Sequence, residues 1–454
     1  MQRSWRPLFL AVIALFLAAP AAIAASPSPG AHHQPNAPVD IGSPAAQLRV
    51  DLDRLFAEHA FLTIEQMRSG LTGAPDFEAA AKAVEANSTE VAAAIGSIYG
   101  ADAEEPFGDI WRSHIGYLVD YAVSLGKSDA PGQQAALSGL AAYRSRLATF
   151  LGQANPGVAL GGITEALDMH TAQLLEFIDS EHTGDHAGAY AIEREAYPHM
   201  FHVGDALAKV IASKFPERFT GVDRAYSAAG TLRVTLDRIL AEHAFLAAEA
   251  MRSGISGAAD FDAAKGAIEG NSTDLQAVVE AAYGKQAAVA FRTLWDGHIA
   301  GYVAYIDATR TDDAAERAAG TANLNSYAAQ LAGFLADANP YLDAAALATL
   351  FQEHAGHLTA QVEAFASADY DETYTLVRTG YSHMFAAGEA LAIGIATQMP
   401  KQFPADAPAP DTATMADPRA ELPSGSALLV LILGVVLAAL LIPVRIARRH
   451  RRSA

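Results

Sequence analysis

The stretch Leu48-Arg49-Val50-Asp51-Leu52-Asp53-Arg54-Leu55-Phe56-Ala57-Glu58-His59-Ala60-Phe61-Leu62 returns 184 residues later as Leu232-Arg233-Val234-Thr235-Leu236-Asp237-Arg238-Ile239-Leu240-Ala241-Glu242-His243-Ala244-Phe245-Leu246. Sliding the chain against itself by that offset aligns Leu48–Phe219 with Leu232–Phe403 without a gap. About 67 of the 172 positions are identical. Ala154-Asn155-Pro156 meets Ala338-Asn339-Pro340, and His199-Met200-Phe201 meets His383-Met384-Phe385. Self-similarity at one fixed period is the mark of a duplicated unit. Shared alanine content does not explain it, because the matched residues include Trp, His, Asn, Pro and Met.

Within the quoted stretch, Leu48, Leu52, Leu55, His59, Leu62 and Gln66 recur at spacings of three and four, the period of one helix face. Six helices are expected in the first copy, over roughly 45–69, 76–98, 104–126, 132–152, 158–180 and 187–214. The separators are turn and capping residues: Gly70 to Gly73, Gly100, Pro131-Gly132, Asn155-Pro156-Gly157 and Gly184. No run of alternating β-branched residues suggests a strand. The expected fold is all-α: two tandem antiparallel helical bundles, 45–219 and 220–403, joined by short turns.

The ends read differently. Residues 1–25 have the form of a secretory signal peptide, with Arg3 and Arg6, an apolar run from Leu8 to Ala19, and small residues at Ala22 and Ala24. Residues 26–44, rich in Pro, Ser and Ala, suit a disordered leader. Residues 404–425 form a Pro/Ala-rich stalk. An unbroken apolar stretch, Ala427 to Val444, lies within an expected transmembrane helix at 426–445. Arg445, Arg448, Arg449, Arg451 and Arg452 follow, so 446–454 is expected as a basic cytoplasmic tail, with everything before the helix outside the cell membrane. Leu422-Pro423-Ser424-Gly425 resembles a cell-wall sorting signal but lacks its threonine, which favours a retained anchor.

Composition removes several function classes. The chain of 454 residues has no cysteine, which excludes disulfides, iron–sulfur clusters and thiol catalysis. Net charge is −20, and outside the two arginine-bearing ends all 51 acids face 24 bases, about −27. Such a surface repels nucleic acid, so no nucleic-acid partner is expected. Phosphate-binding glycine loops and serine-hydrolase elbows are absent.

Histidine carries the one chemical clue. Of 15 histidines, eight form four pairs in the 184-residue register: His59 with His243, His114 with His298, His170 with His354, and His199 with His383. Each falls near the middle of a helix on its apolar face. His114, for example, shares a stripe with Phe107, Trp111, Leu118 and Tyr121. Mid-helix positions of an antiparallel bundle fall at similar heights, so the four rings of each copy are expected to converge in one layer. Imidazole is the commonest ligand of copper, zinc and iron. The alternative is a set of neutral core histidines bonded to carbonyls or hydroxyls, kept by the duplication for packing, as Trp111 and Trp295 are. No Glu-x-x-His pair is matched in both copies, which argues against a ferritin-type di-iron site, and no His-Glu-x-x-His zinc protease motif occurs.

Several neighbours carry lesser expectations. Tyr121 and Tyr305 share the histidine faces and are expected as supports for the rings. Glu58 and Glu242 each precede a candidate histidine and so point about 100° away, toward water or a neighbouring helix end. Asn87-Ser88-Thr89 and Asn271-Ser272-Thr273 match the N-glycosylation pattern but fall inside expected helices, and are read as helix-surface or capping residues. His202 and His357 share faces with His199 and His354 but have no matched partner.

Glu58-His59-Ala60, Trp111-Arg112-Ser113-His114-Ile115, Ala154-Asn155-Pro156 and His199-Met200-Phe201, in that order, resemble a helical repeat domain of exported actinobacterial and firmicute proteins. The resemblance covers both copies, from about 48 to 403. Some members of that family are described as copper amine oxidases, which implies copper. Copper amine oxidases build a quinone from a tyrosine in an Asn-Tyr-Asp/Glu motif on a β-sandwich, and this chain has no Asn-Tyr pair. Three readings stand at this point. The leading one is a membrane-anchored module binding a transition metal or metal cofactor through four histidines per copy. The second is a structural or interaction protein of the cell envelope, meeting an unidentified envelope partner. The third, a metal-dependent redox enzyme, ranks last because no acid–base or nucleophile constellation accompanies the histidines.

Overall fold

Ser43 and Pro44 open the first helix in the way the sequence allows. The Ser43 hydroxyl accepts from the Ala46 amide at 3.0 Å, and Pro44 stands at the first helical position, where no amide is needed. The helix ends at Gly73, whose φ of 66° is the left-handed conformation that glycine adopts without strain. This is α1, Pro44–Thr72. The computed structural model describes residues 37–156 and 160–405, and among them every regular element is helical.

Five further helices follow: α2 Phe77–Tyr99, α3 Ala101–Gly126, α4 Ala130–Ala154, α5 Gly161–Thr183 and α6 His186–Lys214. A single short turn, α7 Val222–Ala225, leads to α8 Ala228–Ser256, α9 Phe261–Tyr283, α10 Lys285–Arg310, α11 Ala314–Ala338, α12 Ala344–Ala366 and α13 Tyr370–Gln398. The expected boundaries agree to within three or four residues. Successive helices pack side by side in each half, except that α4 only grazes α5, and the last returns to the first: α6 lies along α1, and α13 along α8. The described helices all belong to one compact unit. None of them is long and apolar enough to cross a membrane. The spans read as signal peptide (1–25), transmembrane helix (426–445) and basic tail (446–454) lie outside the described residues, with most of the leader and stalk.

The leader ends earlier than expected. Ile41 is buried, and the Val39 amide donates to Thr397 Oγ1 at 3.0 Å, which ties residues 39–43 to α13.

A larger departure concerns α1. One apolar face was expected, yet every residue from Leu55 to Ser69 is buried, as is every residue of α8 from Ile239 to Met251. A helix buried all round has neighbours on every side. The extra neighbours come from the opposite half. Phe61 of α1 stacks on Phe245 of α8 at 3.8 Å, and the Tyr381 hydroxyl of α13 donates to the Arg54 carbonyl of α1 at 2.9 Å.

That packing corrects three expectations. Glu58 does not face water: it is fully buried, accepting from Asn87 Nδ2 at 2.8 Å and from Arg378 Nε of α13 at 2.9 Å. Glu242 is buried in the same way, held by Asn271 Nδ2 at 2.8 Å and Arg194 Nε of α6 at 3.3 Å. Each half therefore lends an arginine to the buried glutamate of the other. Asn87 and Asn271 are not surface or capping residues either. Both are buried, and their second bonds go to the Leu55 and Ile239 carbonyls, at 3.0 and 2.9 Å. Nearby, Arg68 bridges Glu65 and Glu249, and Arg252 donates to Glu249 at 3.0 Å, so ionic groups fill the middle of the contact between halves.

Gly204 and Gly388 set the approach of α6 to α1 and of α13 to α8. A Cβ at either would come within 2.9 Å of the Asp53 backbone nitrogen or 3.0 Å of the Asp237 one.

Candidate metal centre

Three of the four expected histidines meet in each half. His59 comes from the middle of α1, His114 from α3 and His170 from α5. Their ligand nitrogens all lie within 4.8 Å of one another. His243 of α8, His298 of α10 and His354 of α12 form a second cluster under the same limit. In the first cluster His59 Nε2 and His114 Nε2 are 3.1 Å apart, and the His59 and His170 ring centroids 5.6 Å. In the second the three centroid separations are 5.7, 5.7 and 6.0 Å.

His199 and His383 stand outside these clusters, which corrects the expectation of four converging rings. The carbonyls of α5 and α12 claim them: His199 Nε2 lies 2.7 Å from the Ala166 oxygen, and His383 Nε2 lies 2.9 Å from the Leu350 oxygen. Ala166 and Leu350 each sit four residues before a cluster histidine. These two rings therefore brace the helix that carries His170 or His354.

All six cluster rings are buried, with exposures from 0% to 7%. Burial pushes the imidazolium form out of reach near neutrality. His114 and His298 are lowered to about 4. His243 is lowered to about 3, by burial first and by His298 second. His59, His170 and His354 are pushed well below the ordinary value by burial, with neighbouring histidines adding to it. All six are thus neutral at pH 7, the form in which a ring nitrogen offers its lone pair.

The hydrogen-bond accounting is unusual. Both nitrogens of His170, His243 and His354, and Nδ1 of His298, are buried without a protein partner, while the Trp111 backbone supports His114. A buried polar atom left unpaired costs about 1–3 kcal/mol, but Asp53 and Asp237 are unpaired in the same way, so the convergence of three rings, more than the missing bonds, marks these two places. A cation would engage one nitrogen of each ring, and the other would still need an acceptor of its own. A tetrahedral ion with nitrogen ligands at about 2.0–2.1 Å holds them roughly 3.3 Å apart. The His59–His114 separation of 3.1 Å is already near that value. No carboxylate belongs to either cluster. Three neutral imidazoles suit copper, zinc, nickel or iron, and not calcium or magnesium, which take oxygen ligands. Three protein ligands also leave a fourth position open, the pattern of reactive rather than purely structural zinc sites.

Aromatic rings wall each cluster. Trp111 lies 4.5 Å from His59 and 4.8 Å from His114, and Trp295 lies 4.8 Å from His243. Tyr143 stacks on His114 at 4.7 Å, and Tyr327 on His298 at 4.5 Å. These tyrosines were missed in the sequence, although they are matched in the 184-residue register. Tyr121 and Tyr305, the supports expected instead, turn elsewhere. Their hydroxyls donate to Asp179 at 2.9 Å and Glu363 at 2.8 Å. His357 approaches His383, with centroids 5.2 Å apart, and remains outside the second cluster. Comparison of the chain with protein-family models, curated proteins and solved structures finds no match.

Proposed function

We propose that this chain is an exported, membrane-anchored metal-binding protein, built from two copies of one helical domain, each holding one transition-metal ion through three histidines. The ligands are His59, His114 and His170 in the first copy, and His243, His298 and His354 in the second. The observation that carries the reading is the convergence, in two places, of three buried, neutral imidazoles with one nitrogen of each within 4.8 Å of the others. The export and anchoring half of the reading rests on the apolar run at each end of the sequence, preceded by Arg3 and Arg6 at the first and followed by the arginine tail at the second. The two-copy half rests on the 184-residue register, which the bounds of α1–α4 and α6 follow as they recur in α8–α11 and α13.

Copper, zinc and iron are the ions to test. Full-length protein, stripped by a chelator and reloaded with each in turn, is expected to retain two ions per chain after gel filtration. His170→Ala is expected to retain one, and His170→Ala with His354→Ala none. A wild-type stoichiometry near zero for all three metals refutes the reading.

One contact favours a purely structural role for part of the first cluster. His59 and His114 at 3.1 Å satisfy each other if one ring donates and the other accepts. That pairing leaves His170 without a partner and has no counterpart in the second cluster, so it explains one bond and not the pattern. Beyond the imidazoles themselves no acid or nucleophile lies among the ligands, so metal binding, with the fourth position open to an exchangeable ligand, is the function this site supports best.

A further inference from the structure

The second cluster has space beside it, and the character of that space restricts what enters. A cavity of about 70 Å³ is lined by His298, His354 and Tyr327 together with side chains from α8, α9, α11, α12 and α13. Apart from these three and Tyr283, the lining is hydrocarbon, indole and the Met384 thioether, and includes Leu240, Ala282 and Trp295. The Tyr283 hydroxyl is engaged by Asn339 Nδ2 at 3.1 Å. The polar atoms left without partners are His354 Nδ1 and Nε2, His298 Nδ1 and Tyr327 Oη. Polarity in the cavity is therefore confined to its histidine end.

A buried water needs two to four polar partners, and apolar cavities of about 150 Å³ stay dry and bind benzene or xenon. A cavity near half that volume fits a diatomic gas, a xenon atom or a hydrocarbon of a few carbons. A charged ligand entering it would lose its hydration against walls that return hydrogen bonds only at the histidine end. We propose that this cavity binds a small, uncharged, apolar molecule of the size of dioxygen or nitric oxide, beside the ion held by His243, His298 and His354. The inference rests on the metal reading above for its neighbour, and on the cavity alone for its ligand class.

The first half supplies substitutions that fill the cavity without inventing a packing problem. Phe56 stands at the position matched to Leu240, and Ile98 at the position matched to Ala282. Both are buried in the same helical register, and the Phe56 ring lies 5.5 Å from Trp111.

The test uses xenon as the probe on full-length, metal-stripped protein, followed by xenon NMR. Wild type is expected to give a saturable shift corresponding to one bound atom per chain. Leu240→Phe combined with Ala282→Ile is expected to abolish it while leaving the circular dichroism of the helices unchanged. No saturable shift in wild type, or a shift that survives both substitutions, overturns the proposal. A second measurement needs no variant. Cobalt(II), paramagnetic, is expected to broaden the bound-xenon line at least several-fold relative to zinc(II). Identical lines at full metal occupancy would place the ligand away from the ion and overturn the pairing of the two. Saturable xenon binding with no metal retained refutes the metal reading instead, and the measured stoichiometry separates that failure from the others.

Discussion

Replacing His298 by glutamine isolates the electrostatic cost of keeping one of these rings in the core. Its lowering to about 4 has a single cause, burial, with no charged neighbour contributing. Unfolded, the ring titrates near 6.5. Between pH 7 and pH 5 the unfolded imidazole becomes almost fully protonated, while the folded one stays mostly neutral. The unfolded chain then binds nearly one proton more, so stability falls as pH falls. The contribution is intact above 6.5 and lost progressively down to about 4. The loss is about 2 kcal/mol between pH 7 and pH 5, and about 3 kcal/mol at lower pH. Wild-type stability alone is a poor readout. Asp53, Glu65, Glu193 and Asp237, pushed up by burial and by neighbouring acids, take up protons on folding and act with the opposite sign. They are common to both proteins and cancel in the difference. Urea unfolding of metal-free wild type and His298→Gln at pH 7, 6 and 5 is therefore expected to show the wild-type advantage shrinking by about 2 kcal/mol. A difference that stays constant across that range refutes the argument. So does a folded-state NMR titration placing His298 near 6.5, a measurement that needs no variant.

Further outcomes follow from particular contacts. Glu58→Ala removes one partner each from Arg378 and Asn87, which keep Glu90 and the Leu55 carbonyl, so the unfolding midpoint is expected to drop by an amount equivalent to about 1–3 kcal/mol; no measurable change would mean that water replaces the lost bonds. Gly204→Ala forces a methyl against the Asp53 backbone and is expected to cost about 1–3 kcal/mol or more, whereas Gly116→Ala, exposed in α3 with nothing near, is expected to gain about 0.5–1 kcal/mol. Equal effects of the two in thermal melts would count against the close approach of α6 to α1. Metal at about 100 times its dissociation constant is expected to add about 2.7 kcal/mol per site. In calorimetry that increment should halve in His354→Ala; an unchanged increment points to binding elsewhere.

The sequence by itself determined a good deal. Apolar residues three and four apart, glycine and proline punctuation, and the 184-residue register located the helices to within a few residues. Periodicity works here because a helix face is a local property, set by 100° per residue along one segment. It also singled out the histidines, because a rare residue repeated in register on an apolar stripe is visible without any neighbour. The tertiary structure alone decided what faced each stripe. Local pattern assigned α1 one buried face, but the second half covers the opposite one, and this draws Glu58, Glu65 and Arg68 inside with their partners. Nor does an angular position on one helix reveal which ring will meet which across a bundle. His199 and His383 share the apolar placement of the other six, yet the carbonyls of Ala166 and Leu350 lie nearer and take their nitrogens. The sequence proposed four ligands in each half, and packing selected three, because ligand convergence depends on distances between helices that no single helix encodes.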